Sequence, residues 1–233
     1  MKHIIDHLTE NWIKYGFETL VITAGILLAF GLNSWNEGRK LNIRELETLR
    51  GVRSDLTQSL RDIKGDRRNF TQVVKSNEII LHQIAFSLPY HDSLSTHFSN
   101  LWTLATFSIN RTTFENFGAN DSAPISNDSL RIEISQLYTH PINLYKELEK
   151  RELQEHYVNY IKPMFIAEFK SFEKRSYQLR NYQEFIVNVN NTAILNFTLK
   201  MLMGIVGLQS FIESRIESLI IQIDAEIARL EGQ

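Results

Sequence analysis

Glu18 is the residue whose type and position could most directly do chemistry. It precedes eighteen consecutive uncharged residues, Thr19 to Asn36, most of which are apolar. An ionisable side chain in a membrane helix is costly to bury, which makes it a candidate proton or ion site, or a partner for another helix. The simpler interpretation places Glu18 near the lipid headgroups, with its carboxylate reaching toward Lys14. The alternative is a subunit of an ion- or proton-conducting assembly built around Glu18.

The histidines form no recognisable metal site. His3 and His7 share one face of a predicted helix, as two ligands would, but no third ligand lies nearby. The remaining candidates lie at predicted turns or helix ends, where capping and packing explain them: His91, Asp92, His97 and His140. The sequence therefore predicts no metal.

A polar run at residues 126–129 is the other candidate motif. Asn127, Asp128 and Ser129 precede an apolar helical pattern, so helix capping is the preferred interpretation and a binding role is the alternative. Ser126 and Ser129 lie in no nucleophile elbow. There is no P-loop, dinucleotide fingerprint or zincin pair on a predicted helix. We therefore expect no catalytic residue, no cofactor and no enzymatic activity.

Residues 15–36 have the properties of a transmembrane helix. The uncharged run approaches the length that spans a bilayer, and aromatic residues flank it, with Trp35 at its end. Gly25 and Ala29 are four residues apart, a spacing that lets membrane helices approach closely. Two alternatives stay open. One is a cleaved signal peptide ending near residues 29–31, and the other is a buried helix of a soluble protein.

The rest of the chain predicts helices. Residues 1–14 form an amphipathic interfacial tail. Residues 37–233 form one domain, in which apolar residues recur every three or four positions over 46–88 and 195–230. A shorter pattern, Leu144, Leu148, Leu153 and Tyr157, is expected to remain helical to about Phe172. We predict an all-α fold, with a membrane helix followed by an elongated antiparallel bundle of long helices. A second span at 194–212 is the less favoured alternative, because Lys200 interrupts it.

Composition excludes some classes of function. The chain has 233 residues, 43% of them hydrophobic, which suffices for an anchor and one core. It has no cysteine, so disulfides, thiolate chemistry and cysteine-based zinc sites are excluded. A net charge of −2 gives no general attraction for nucleic acid, and we expect no such partner.

The apolar run and the residues after it carry a family resemblance. The matching positions are Glu18, Gly25, Ile26, Leu27, Ala29, Asn33, Trp35, Asn36 and Glu37. In this segment the chain resembles a bacterial family called domain of unknown function 6090, with weaker similarity at residues 125–131 and in the last helix. Phe17 and Ser34 depart from the family pattern, and the tail is less basic than usual. The resemblance implies a single-pass membrane protein with a helical domain and assigns it no activity.

The side of the membrane is indicated in two opposite ways. More basic residues follow the anchor than precede it, which places the domain in the cytoplasm. The family's basic tail implies the periplasmic side of a bacterial inner membrane, and on the resemblance we expect that side. The expected function is a membrane-anchored interaction, scaffold or sensor module. Its expected partners are the lipid bilayer, an unidentified protein and, through Gly25 and Ala29 or the long stripes, a second copy of the chain.

Overall fold

The structure is a computed structural model that describes residues 12–102, 109–119, 125–174 and 176–232, and most of these are helical. The predicted all-α class is therefore confirmed. The predicted amphipathic tail lies almost entirely outside the described residues, which begin at Trp12.

The first element, α1 (Trp12–Ala85), is one unbroken helix of 74 residues. Residues 16–41 are all exposed, and burial begins at Glu45. From there the predicted apolar stripe faces the core, since Leu49, Leu56 and Ile63 have no exposed surface. The helix ends at Ala85 rather than near residue 88. One helix therefore carries both the predicted membrane segment and a central part of the core.

Shorter elements follow α1. They are α2 (Leu94–Asn100), α3 (Thr112–Ala119), α4 (Asp128–Thr139), α5 (Pro141–Glu147), α6 (Gln154–His156), α7 (Lys162–Glu168), β1 (Phe169–Glu173), β2 (Ser176–Leu179) and α8 (Tyr182–Val187). Two π-helical segments, Leu148–Leu153 and Tyr157–Ile161, lie on either side of α6. The chain from α5 to α7 is thus one helical stretch with two irregular parts.

The predicted continuation of this helix to about Phe172 is wrong. Helix α7 ends at Glu168, and Phe169 adopts an extended backbone with φ −107° and ψ 144°. Strand β1 then pairs antiparallel with β2, and Phe172 lies opposite Tyr177. The ring of Phe169 also packs edge to face against that of Phe98 on α2, at 5.3 Å between centroids. Because this aromatic contact is tertiary, the local helical pattern could not indicate it.

Gly51 allows two helices to approach closely. A Cβ atom built at this position would lie 2.9 Å from Cγ2 of Thr113 on α3. At Gly65, by contrast, a Cβ would meet no atom within 4 Å. Neither glycine breaks α1. Only Gly51 has a packing role, because only there would a Cβ meet another helix.

The last element, α9 (Val189–Glu231), has 43 residues and packs antiparallel to α1. Near one end Asn77 donates a hydrogen bond to the carbonyl oxygen of Leu195 at 3.1 Å. Near the other end Arg50 pairs with Glu231 at 2.5 Å. The helix begins six residues before Leu195, the first residue of the predicted stripe, because the side chain of Asn188 caps it.

Ion pairs line the edge of this helix contact. They join α1 to α9 along its length, as Arg53 with Asp224, Lys64 with Glu217, and Arg67 with Glu213. The first two pairs are exposed, and exposed pairs contribute little to stability. The buried apolar stripes between α1 and α9 therefore supply most of the stabilising contact.

Two helices of the described part, α1 and α9, are long and apolar enough to cross a membrane. In α1 none of the apolar window is buried, whereas in α9 28% of it is. A signal sequence and the core helix of a soluble protein also have these properties. Since Leu195, Leu202 and Ile212 of α9 lie in the core, α1 is the better candidate span.

Candidate functional site

The residues predicted to act in the membrane all lie on the exposed part of α1. Glu18, Gly25, Ala29 and Trp35 are exposed. Steps of seven and four residues put Glu18, Gly25 and Ala29 along one face, and Trp35 lies on another. A Cβ built at Gly25 would meet no atom within 4 Å. The structure therefore offers a small-residue face on a single helix, with Glu18 in line with it.

The polar run at 126–129 builds the start of α4. The side-chain oxygen of Asn127 accepts a hydrogen bond from the backbone N–H of Leu130 at 3.2 Å, which is an N-cap. Asp128 pairs with Arg131 at 2.6 Å, and Ser129 is exposed in the first turn. Capping is the role that this geometry provides.

Two buried carboxylates tie the start of α4 to both long helices. Oε1 of Glu45 on α1 accepts hydrogen bonds from the backbone N–H and the hydroxyl of Ser126, at 2.7 and 2.8 Å. Oε2 of Glu226 on α9 accepts one from the side-chain amide of Asn127 at 3.1 Å. Both acids are only 6% exposed. Hydrogen bonds from Arg229 and then Asn127 lower the pKa of Glu226. These two carboxylates, here called the carboxylate cluster, hold α1, α4 and α9 together.

Sequence reasoning missed His156, which is the most unusual polar residue of the described part. It is 6% exposed and lies between the two π-helical segments. Such segments are rare and occur often at functional sites. The step of five residues from Leu148 to Leu153 was the one sequence signal, because a regular helix repeats at three or four.

The hydrogen bonds of His156 fix its tautomer. Nε2 lies 2.7 Å from Oγ1 of Thr198 on α9. The hydroxyl of Thr198 already donates to the carbonyl oxygen of Ile194 at 2.7 Å, so it accepts from His156. Nε2 thus carries the proton, and the buried Nδ1 has no hydrogen-bond partner within the described residues. Burial lowers the pKa of His156, which keeps the ring neutral.

A small apolar cavity lies against this histidine. Its volume is about 330 Å³, and its lining is His156, Tyr160, Ala193, Ile194 and Phe197. The imidazole stacks on Tyr160 at 5.3 Å and lies 5.0 Å from the ring of Phe197. The cavity offers aromatic surface but no charged group or nucleophile, so its chemistry is that of packing or of binding a small apolar group.

The other histidines have local roles. Nδ1 of His91 lies 2.8 Å from the hydroxyl of Ser93 in a turn, and that of His97 lies 3.2 Å from the hydroxyl of Ser76. His140 joins α4 to α5. His3 and His7 lie outside the described residues. Among the residues that the structure describes, no group of three His, Asp or Glu side chains could hold a metal ion.

Comparisons with protein-family models, with curated proteins and with solved structures find no match to this chain. A functional conclusion therefore depends on the geometry of α1, the carboxylate cluster and α9.

Proposed function

We propose that this protein is a single-pass membrane-anchored interaction module, acting as a scaffold or sensor and not as an enzyme. One observation carries the proposal: the exposed apolar run, residues 19–36, and the core stripe from Leu49 onward belong to one continuous helix. Anything that tilts, rotates or clusters the anchor therefore acts directly on the domain core.

The exposed segment supports the lipid bilayer as partner. Large apolar side chains on it, such as Phe17, Leu28 and Phe30, are each 68% exposed. Soluble monomers rarely expose continuous apolar surface of this extent. Residues 15–36 extend about 33 Å as a helix, close to the roughly 30 Å of a hydrocarbon core. A bilayer would cover the whole segment.

The use of buried polar groups supports a structural rather than a catalytic role for the domain. Glu45 and Glu226 accept bonds from the start of α4, and Asn77 bonds to the backbone of α9. The amide of Gln209 donates to the Tyr145 hydroxyl at 3.2 Å. Each of these groups holds one element against another. We propose that they specify an elongated antiparallel bundle, which presents outer surfaces to partners.

The family resemblance supports the location. It favours a bacterial inner membrane with the domain on the periplasmic side, and we adopt both as part of the proposal. An unidentified protein and a second copy of the chain are the proposed macromolecular partners.

Membrane extraction tests the anchoring. In the full chain, replacing Ile22 and Ile26 by lysine puts two charges into the predicted span, at about 3 kcal/mol each. We expect the wild type to stay in membranes after alkaline carbonate washing, and this variant to be released. The matched control is Ile43→Lys, another exposed isoleucine on the same helix but beyond the span, which should behave as the wild type. If the wild type is released by carbonate, the proposed anchoring is wrong.

A further inference from the structure

The side of α9 that faces away from the core has a regular pattern. Starting at Phe197, exposed positions recur in alternating steps of three and four residues as far as Ala228. The small members are Gly204, Gly207, Ser214, Ser218, Ala225 and Ala228. The large apolar members are Phe197, Phe211 and Ile221. We call this set the outer stripe.

The outer stripe lacks the charge that a solvent-facing helix normally carries. Lys200 is the one charged residue at its positions, near one end. Phe211 and Ile221 are nevertheless 54% and 70% exposed. The composition is that of a helix face made for contact rather than for water.

An apolar groove lies beside the outer stripe. It is about 630 Å³ in volume, and Leu144 of α5 and Leu208 and Phe211 of α9 are among its lining residues. Leu144 is itself 53% exposed. The apolar surface of α9 thus continues onto the neighbouring helix, which gives a docked helix a wider contact than the stripe alone.

We propose that a second copy of this chain docks on the outer stripe, with the two α9 helices parallel about a two-fold axis. The parallel direction rests on the proposed membrane anchoring, because two anchors in one bilayer point the same way. Alternating steps of three and four are the spacing of left-handed helix pairs. In a parallel two-fold pair each residue of the stripe faces the same residue of the copy, so the small residues face small residues. Gly204 and Gly207, where a Cβ would meet nothing within 4 Å, allow close approach.

Area and charge allow a second copy. The acidic residues that flank the outer stripe, Glu217 and Asp224, already pair with basic side chains of α1. Arg229 on the other flank pairs with Glu226 of the same helix. Because these charges are neutralised within the chain, they do not repel a copy. The stripe is about 48 Å long, and a contact roughly 10 Å wide buries about 1,000 Å² in total, the lower limit for a specific interface. Confinement of both copies to one bilayer raises their effective concentration.

Disulfide trapping tests the contact. Because the sequence has no cysteine, any crosslink must come from the introduced thiol. Ser214→Cys and Ser218→Cys place single thiols at the proposed axis, whereas Ser54→Cys places one on an exposed position of α1. A disulfide needs Cα atoms about 4.4–6.8 Å apart. In native membranes we expect oxidation to crosslink the first two variants and not the third. Crosslinking at Ser54 as strong as at Ser214 would overturn the proposal.

A matched pair of charge substitutions tests the energetics. Ile221→Glu sets two carboxylates face to face at the axis, and we expect the Ser214→Cys crosslinked fraction to fall at least about tenfold. The control is Ile166→Glu, at an isoleucine of α7 that is 61% exposed, which should change nothing. Gly204→Leu with Gly207→Leu blocks close approach while keeping the helix, and should also abolish the crosslink. Full crosslinking in either stripe variant contradicts the proposal.

Mass measurement in nanodiscs separates the remaining outcomes. If the wild type is a dimer and only the double variant Gly25→Leu with Ala29→Leu dissociates it, the membrane face is the contact and the outer-stripe proposal is overturned. A wild-type monomer also overturns it, and leaves the stripe to a different protein. If carbonate releases the chain from membranes, the proposed anchoring fails, whereas the crosslinks of the cysteine variants still report on α9.

Discussion

His156 donates a hydrogen bond from Nε2 to the hydroxyl oxygen of Thr198, across two distant parts of the chain. The Nε2 atom of His156 lies 2.7 Å from the Thr198 hydroxyl, and the contact joins the irregular helical stretch to α9. The opposite nitrogen of the ring is buried without a hydrogen-bond partner in the described part of the chain. The histidine is therefore sensitive both to the loss of its one acceptor and to a second proton.

Thr198→Val removes that acceptor while keeping the shape of the side chain. The Nε2–H of His156 would then be buried and unpaired, and we expect a loss of about 1–3 kcal/mol in the free energy of unfolding. Chemical denaturation measures this. Thr71→Val is the control, because the Thr71 hydroxyl makes the same bond to the backbone four residues earlier but is exposed. Equal effects of the two variants would show that the His156 contact adds nothing.

Acidification is expected to destabilise the domain through His156. Burial lowers its folded-state pKa, so the fold favours the neutral ring. The resulting stability is complete above the usual histidine pKa of about 6.5 and is lost as the pH falls through that value toward the lowered pKa. Burial also lowers the pKa of His97, which acts in the same direction.

The measurement compares unfolding free energies from about pH 8 to about pH 5.5, a window in which carboxylates of ordinary pKa stay ionised. His156→Gln should flatten the decrease, and His97→Gln should flatten a separate part of it. A pH dependence identical in the wild type and His156→Gln would contradict the assignment.

Asn127 has two roles that substitution can separate. Asn127→Ala removes the cap of α4, which is worth about 1 kcal/mol, together with the bond to Glu226. Asn127→Asp keeps the cap but places a carboxylate against Glu226, where the amide now donates at 3.1 Å. We expect both variants to lower the melting temperature, and only the aspartate variant to recover relative to the wild type at about pH 4.5. An aspartate variant as stable as the wild type at neutral pH would show that the Glu226 contact is unimportant.

The side of the membrane can be measured with one thiol. Ser54→Cys is exposed on α1 beyond the proposed span. If the domain is periplasmic, a membrane-impermeant maleimide should label it in spheroplasts and in right-side-out vesicles, but not in sealed inside-out vesicles. The reverse pattern would support the count of basic residues after the anchor and contradict the resemblance.

The fold class could be predicted because its signals are local. The stripes on α1 and α9 repeat every three or four residues, and the cap at Asn127 is a short-range pattern. The hairpin from Phe169 to Leu179 could not be predicted, because aromatic contacts with distant residues such as Phe98 stabilise it. A helical pattern that continues through such a segment misleads, since tertiary packing overrides it.

The candidate sites divide in the same way, into those with local sequence signals and those that depend on distant residues. Glu18, Gly25, Ala29 and Trp35 were chosen from composition, and their functional roles stay predictions. His156 was missed because its partner Thr198 lies 42 residues further along the chain, and no local pattern connects them. The outer stripe was hidden by the stronger core stripe of the same helix, which has the same period and is displaced from it by two residues.

Helix α1 is unbroken between the exposed segment and Glu45. The number of residues between them therefore determines both the rotation and the distance of the exposed segment relative to the domain core. A helix turns about 100° and rises about 1.5 Å with each residue. One residue inserted after Gly38 would therefore swing the face that carries Gly25 and Ala29 to a different side of the domain. Seven inserted residues would return it almost to its starting direction and move the domain about 10 Å further from the exposed segment. Homologous chains that keep this geometry should therefore differ by multiples of about seven residues, or two helical turns, between the exposed segment and the position of Glu45.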